Sequence, residues 1–292
     1  TVNGCIVFDD RYLGKPLVYC GTAGIMPVQV GGVPSHIKDI RPGDLIVMSG
    51  GRIGKDGIHG ATFSSEELHE ESPTSAVQIG DPITQKKLID FLLRARDLGM
   101  YRAITDNGAG GLSSSVGELS QLSGGCLIEL DKPPLKYPGL DPWEILLSEA
   151  QERMTLAVPP DNIDAFLDLS TQMDVESTVI GSFTDSGYFH CTYNQKTVAY
   201  LPLDFLHGGV PRMQLTATWE PKTEPDPPTP VPDDHNAKLE EMLSRLNICS
   251  KDYVIRQYDH EVQGGSIIKP LVGRYADGPS DAAVIRPILE IS

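Results

Sequence analysis

A mixed domain of helices and strands is what the sequence predicts for residues 44–206, and three observations predict it. Short apolar runs of strand length alternate there with amphipathic stretches of helical period. Aspartate followed by proline, a side-chain cap and a residue pre-set for the first turn, occurs at 81–82 and 141–142. Stretches rich in glycine and small residues follow the strand-like runs at 45–48 and 101–105, where a chain must turn.

Taken in order, residues 45–48 are a short buried strand leading into a glycine-rich loop. A helix starts at Asp81-Pro82, and Leu88, Phe91, Leu92, Ala95 and Leu98 repeat at helical spacing up to Gly99. Residues 101–105 read as a strand and 112–122 as a helix. Asp141-Pro142-Trp143-Glu144 opens another helix, with Glu144 placed to complete a capping box. Residues 153–158 and 177–183 read as strands, with an amphipathic helix over 162–173 between them. Residues 188–193 and 197–201 form a hairpin around Asn194. Before this domain, residues 5–8 and 17–19 are strand-like. After it, residues 219–235 (WEPKTEPDPPTPVPDDH) hold six prolines and almost nothing apolar, the composition of an extended linker. A helix-like segment at 239–246 and two short strand-like runs follow.

Of the 292 residues, 40% are hydrophobic and 22% charged, enough to build a core. A formal net charge of -16 and the lack of any basic run argue against nucleic acid as a partner. No apolar run is long enough to span a bilayer, so no membrane partner is expected. The five cysteines form no C-x-x-C pair, which points to a reducing, cytoplasmic setting rather than a disulfide framework or zinc site.

Four stretches could carry chemistry. GGRIGKDGIHGATFSS (50–65) suggests a phosphate loop but fails the Walker pattern, with Asp56 where Ser or Thr is required. The alternative is a flexible surface loop carrying Lys55 and His59. Asp106-Asn107-Gly-Ala-Gly-Gly puts a hard-oxygen ligand beside a helix start, suited to Mg²⁺ with phosphate, or else forms a tight turn with a local cap. Ser148-Glu149-Ala150-Gln151-Glu152-Arg153 could hold a polar ligand, or be a solvated turn with an ordinary Glu–Arg pair. In Gln78-Ile79-Gly80-Asp81-Pro82, capping explains Asp81 and leaves Gln78 unexplained.

Taken in order, GGRIGKDGIHGATFSS, VQIGDP (77–82), ITDNGAGGLSSS (104–115), LSEAQERM (147–154), RQYDHEVQGGSIIKPLVG and GPSDAAVIRP resemble the synthetase subunit or domain of phosphoribosylformylglycinamidine synthases, relatives of AIR synthase. The resemblance implies an α+β fold: a complete AIR-synthase-like C-terminal domain (mixed sheet with helices) flanked by partial pieces of two AIR-synthase-like N-terminal domains. It sets residues 1–43 as the tail of the first N-terminal domain and 44–206 as the C-terminal domain. Residues 207–238 are then a Pro-rich linker and 239–292 the start of the second N-terminal domain.

The implied reaction is an ATP-dependent carbon–nitrogen ligation in purine biosynthesis, converting formylglycinamide ribonucleotide to its amidine with glutamine-derived ammonia. Mg²⁺ offsets phosphoryl charge in such chemistry. By the same resemblance Asp106 is a Mg²⁺ ligand, and Gln78, Glu149, Ala150 and Gln151 contact the ribonucleotide. ATP and Mg²⁺ are the implied cofactors, a glutaminase subunit or domain the implied partner, and a homodimer is compatible. No catalytic residue is expected within the chain: the family's catalytic histidine and ATP-contacting lysine would precede Thr1, so the chain alone is expected to be inactive. Two positions depart from the family pattern: Ala150 where serine is common, and Cys5 where Thr-x-Gly-Gly-Glu has glutamate. A related enzyme with one such half, or a non-catalytic ribonucleotide-binding module, are the competing readings.

Overall fold

A computed structural model describes residues 6–14, 24–66, 76–221, 225, 228, 230–257 and 264–289. The strand-like runs expected at 17–19, and parts of the 5–8, 219–235 and RQYDHEVQGG stretches, lie outside these residues. The chain divides into two compact units, Pro27–Met213 and a second one from Thr1–Met26 with Gln214–Ser292.

The first unit opens with a small hairpin, β1 (Gln29–Val30) against β2 (Val33–Pro34). The main chain of elements is β3 (Leu45–Gly50), α1 (Gly60–Phe63), α2 (Pro82–Asp97), β4 (Ala103–Asp106), α3 (Gly111–Ser123) and β5 (Cys126–Glu129). Then follow α4 (Pro142–Leu147), β6 (Arg153–Val158), α5 (Ile163–Gln172), β7 (Ser177–Phe183), β8 (Tyr188–Tyr193), β9 (Lys196–Pro202) and α6 (Leu203–His207). Seven strands form one sheet in the order β4-β6-β3-β7-β5-β8-β9. All neighbours are antiparallel except β5 and β8, which run parallel. This mixed sheet with helices is the α+β fold that the resemblance implies.

The strand pleat sends alternate side chains to opposite faces, and the two faces carry separate cores. Ile46 and Met48 of β3 pack with Leu112, Val116 and Leu119 of α3 and Ile145 of α4. Val47, Leu156 and Val158 face the other way, against Leu88, Phe91 and Ala95 of α2 and Phe166 of α5. There the Phe91 and Phe166 rings meet edge to face, 5.0 Å apart, a favoured aromatic geometry. Of the apolar residues read at 88–98, Leu88, Phe91 and Ala95 are the face that α2 buries, Leu92 packs beside them half-buried, and Leu98, the C-cap, is exposed.

Local signals explain most boundaries. Asp81 caps α2 by accepting from the N–H groups of Ile83 and Thr84 at 3.1 and 3.2 Å. Asn194 and Gln195 both take positive φ (48° and 63°), the two-residue turn that suits a hairpin's twist. The structure corrects three readings. β4 starts at Ala103 rather than 101, and β3 runs on to Gly50, held by pairing with Arg153. β5 was not foreseen: four residues after a glycine pair are too few for periodicity to separate strand from helix.

In the second unit, α7 (His235–Ser244) begins four residues before the expected helix, because Asp234 caps it through Asn236 and Ala237. α8 (Asp252–Ile255), β10 (Ser266–Ile268), β11 (Leu271–Val272), β12 (Gly278–Pro279) and β13 (Val284–Ile285) follow, with β10 paired to β13 and β11 to β12. Asn247 exchanges two hydrogen bonds with the backbone of Phe8. The described residues of 208–234 form neither helix nor strand. No helix among the described residues is long and apolar enough to cross a membrane.

Candidate functional site

The sheet topology gathers the four motif stretches at one end. β3 and β4 both run antiparallel to β6, so the C-terminal ends of β3 and β4 lie beside the start of β6: Gly50 pairs with Arg153, and Asp106 with Met154. The glycine-rich loop leaves β3 there, the Asp106 loop leaves β4, and residues 148–152 enter β6. Residues 76–81, which lead into α2, reach the same place.

The turn at 148–152 is held from within by a buried cation. Arg153 is 3% exposed, and its guanidinium donates to Ala150 O at 2.8 Å and to Ser148 O. Ser148 Oγ donates to Gly54 O at 2.7 Å, tying the turn to the glycine-rich loop. Burial pulls the Arg153 pKa down to about 10, with Asp56 opposing, so it stays charged at neutral pH. The solvated turn with a Glu–Arg pair is therefore corrected: Ser148, Glu149 and Ala150 are buried, and the arginine bonds backbone carbonyls instead.

Glu149 is 5% exposed. One oxygen accepts from Gly110 N–H and the other from Ala61 N–H, each at 3.0 Å. It thus sits at the first turns of both α3 and α1, where backbone N–H groups lack helical partners and favour negative charge. The glycine-rich loop is not a loose surface loop. Ile53, Gly54, Asp56 and Gly57 are buried, Asp56 pairs with Lys136 at 2.8 Å and Lys55 with Glu144 at 2.9 Å. Gly57 has φ +80°, and a Cβ on it would stand 2.8 Å from the Glu149 backbone, so only glycine fits.

Gln78 and Gln151 are both exposed and joined: Gln151 Nε2 donates to Gln78 Oε1 at 2.6 Å, across 73 residues of sequence. Ala150 is 1% exposed, and its N–H already reaches Ser148 Oγ at 3.3 Å. A cavity of about 730 Å³ opens beside Gln151, bordered by Gly51, Gly80, Asp81, Lys136 and Glu152.

Asp106 is exposed at the end of β4, one oxygen accepting from Gly108 N–H at 2.9 Å. Next to it Asn107 is buried, its side-chain oxygen accepting from Ser115 Oγ at 2.6 Å and Thr155 Oγ1 at 2.9 Å. Its Nδ2 is buried with no hydrogen-bond partner among the described residues. Asp106 fits a metal as a single ligand only. Among the described residues no group of three or more His, Cys, Asp or Glu could enclose an ion, whereas Mg²⁺ is commonly held by one or two carboxylates with water and phosphate.

Sequence reasoning located these loops but missed Arg153, Asn107 and Glu152 as determinants of their shape. A polar residue at the first position of an apolar strand, as in Arg153-Met-Thr-Leu-Ala-Val, was the available signal for the first.

The model of "AIR synthase related protein, C-terminal domain" matches residues 41–194, over half of the chain. The chain belongs to the AIR synthase related family. Among family relatives, phosphoribosylformylglycinamidine synthase subunit PurL of Methanopyrus kandleri is 40% identical over 92% of this chain and 37% of its own length. The same subunit of Thermoplasma acidophilum is 34% identical over 99% of this chain and 38% of its own. The chain thus spans well under half the length of the curated relatives it matches. Among solved structures, T. maritima PurL complexed with FGAR is 32% identical with a TM-score of 0.58, over 66% of this chain and 32% of that one. T. maritima PurL complexed with ATP gives 27% and 0.54, over 70% and 32%. PurLQS from Thermotoga maritima gives 28% and 0.58, over 80% and 35%.

Proposed function

We propose that this chain supplies the ribonucleotide-side wall of an ATP-dependent ligase of the PurL type, one that converts formylglycinamide ribonucleotide to its amidine in purine biosynthesis. The observation that carries the reading is the Gln78–Gln151 pair. Two exposed carboxamides from distant loops are locked together over a turn that buried Arg153 and Glu149 make rigid. Carboxamides so held offer both donors and acceptors to a polar ligand, and rigid support is what keeps such contacts in place. Relatives whose PurL was solved with FGAR and with ATP support the ligand classes.

In this reading Gln78 and Gln151 touch the ribonucleotide directly. Glu149 and Ala150 contribute through the turn, since their polar groups already bond the protein. Asp106 would hold a Mg²⁺ ion, which when bound would offset charge on the phosphoryl group of ATP. Residues 1–43 and 239–292 belong to two N-terminal-type domains joined to the 44–206 domain, the latter through the 207–238 linker. Ammonia comes from a glutaminase partner, in keeping with a relative solved as PurLQS, and the reaction takes place in the cytoplasm.

Calorimetric titration of formylglycinamide ribonucleotide into this chain tests the reading. Binding is expected without Mg-ATP, with a loss of at least about tenfold in Gln78→Ala and in Gln151→Ala, the scale of one lost ligand hydrogen bond of about 1.4 kcal/mol. Asp106→Asn is expected to leave metal-free binding unchanged. Binding that survives both glutamine substitutions intact overturns the assignment.

A further inference from the structure

Glu152 lines the same cavity as Gln151. It is a non-glycine residue at φ 57°, a conformation that side chains other than Asn, Asp and His rarely adopt and that tends to persist at functional sites. The backbone is fixed there from both sides. Its carbonyl accepts from Gly51 N–H at 2.9 Å, and a Cβ on Gly50 would stand 2.1 Å from the same oxygen. The turn sets the side chain beside Gly80, with Oε1 3.6 Å from where a Cβ on that glycine would lie.

Ion pairing sharpens the case. Three cations border the cavity, and each is taken by another carboxylate: Arg52 by Glu176 at 2.8 Å, Lys136 by Asp56 at 2.8 Å, and Lys87 by Asp174. Asp81 is engaged as the cap of α2. Among the described residues Glu152 is left as a half-buried, cavity-lining carboxylate with no ion-pair partner, one residue from Gln151. Burial first, then the like charges of Asp81 and Asp56, raise its carboxyl above its ordinary value against the pull of the Asp81 backbone and of Lys136, so a donor or cation arriving here is favoured.

We propose that the Glu152 carboxylate accepts hydrogen bonds from the amide-derived nitrogen end of the ribonucleotide, and so binds the amidine product more strongly than the amide substrate. This rests on the reading above. The phosphate end is excluded by like charge. An amidine is a strong base that is protonated at neutral pH, so its N–H groups make charge-assisted bonds to a carboxylate where a neutral amide makes ordinary ones. A cavity of about 730 Å³ is of the size that holds a nucleotide-sized ligand.

The test measures dissociation constants of substrate and amidine product, without ATP, for the synthetase polypeptide that contains this chain. Glu152→Gln keeps the shape and removes the charge; Glu152→Gly removes the side chain and also relieves the positive φ, so folding is retained. Both are expected to weaken the amidine by about tenfold or more and the amide by less than about threefold. Equal weakening of both ligands indicates a bond to a ribose hydroxyl and overturns the proposal, as does no change. Loss in Gln151→Ala with none in the Glu152 variants sinks this proposal alone. A wild-type protein that binds neither ligand removes the underlying reading as well.

Discussion

Glu144 holds two motifs at once. Its carboxylate accepts from Asp141 N–H at 2.8 Å, the reciprocal arm of the capping box, and pairs with Lys55 of the glycine-rich loop at 2.9 Å. The N–H bond first, then the ammonium, holds its carboxyl below its ordinary value of 4.5. A depressed folded-state pKa stabilises the fold above the unfolded value and loses that contribution as pH falls through the folded one. In urea titrations wild type is therefore expected to exceed Glu144→Gln in stability at neutral pH. The gap should close as pH drops below 4.5; a gap constant down to strong acid refutes the pairing. At this scale sequence reasoning found Gln78, Asp106 and Glu149-Ala150-Gln151 as motif members. It could not tell that Glu149 spends both oxygens on backbone N–H groups, or that Arg153 is buried, because both are decided by chain segments 39 to 103 residues away.

At the scale of elements, legibility follows how local the determinants are. α2 was read with its cap, its buried face and its end near Gly99, since Asp81, Pro82 and the 3.6-residue period are all written in one stretch. Replacing Asp81 with alanine removes an acceptor for two otherwise unpaired N–H groups, a change worth about 1 kcal/mol at helix N-caps. In a unit of this size that lowers the melting temperature by about 2–4 °C, measurable by circular dichroism. An unchanged midpoint means that solvent or Thr84 replaces the cap. Of the seven strands in the main sheet only β5 was missed: it follows a helix and a glycine pair with four residues of its own, and the pairing that stabilises it comes from β7 and β8, far along the chain.

For the whole molecule, the family was legible through the order of its motifs, while the convergence of those motifs at one end of the sheet required the strand order itself. Arg212 lies exposed in the stretch without regular structure that follows α6, the kind of backbone that proteases enter first. Brief trypsin treatment is expected to cut after Arg212 and release a protected piece that ends there. Its far-ultraviolet dichroism and cooperative melting should match a folded domain, and a piece that is degraded throughout at the same rate contradicts an independent core for Pro27–Met213.

The interior strand β3 also bears on synthesis. Its partners are β6 and β7, so Gly50 waits for Arg153 and Leu45 for Ser182. At translation rates of roughly 5–20 residues per second, the apolar run LIVM is made some 5–20 s before any strand exists that can flank it. Closing so long a loop precedes any gain from pairing. On the ribosome this stretch is therefore an exposed, sticky edge, a natural client for a chaperone, and the end of the sheet where the motif loops gather is among the last parts of the domain to take shape.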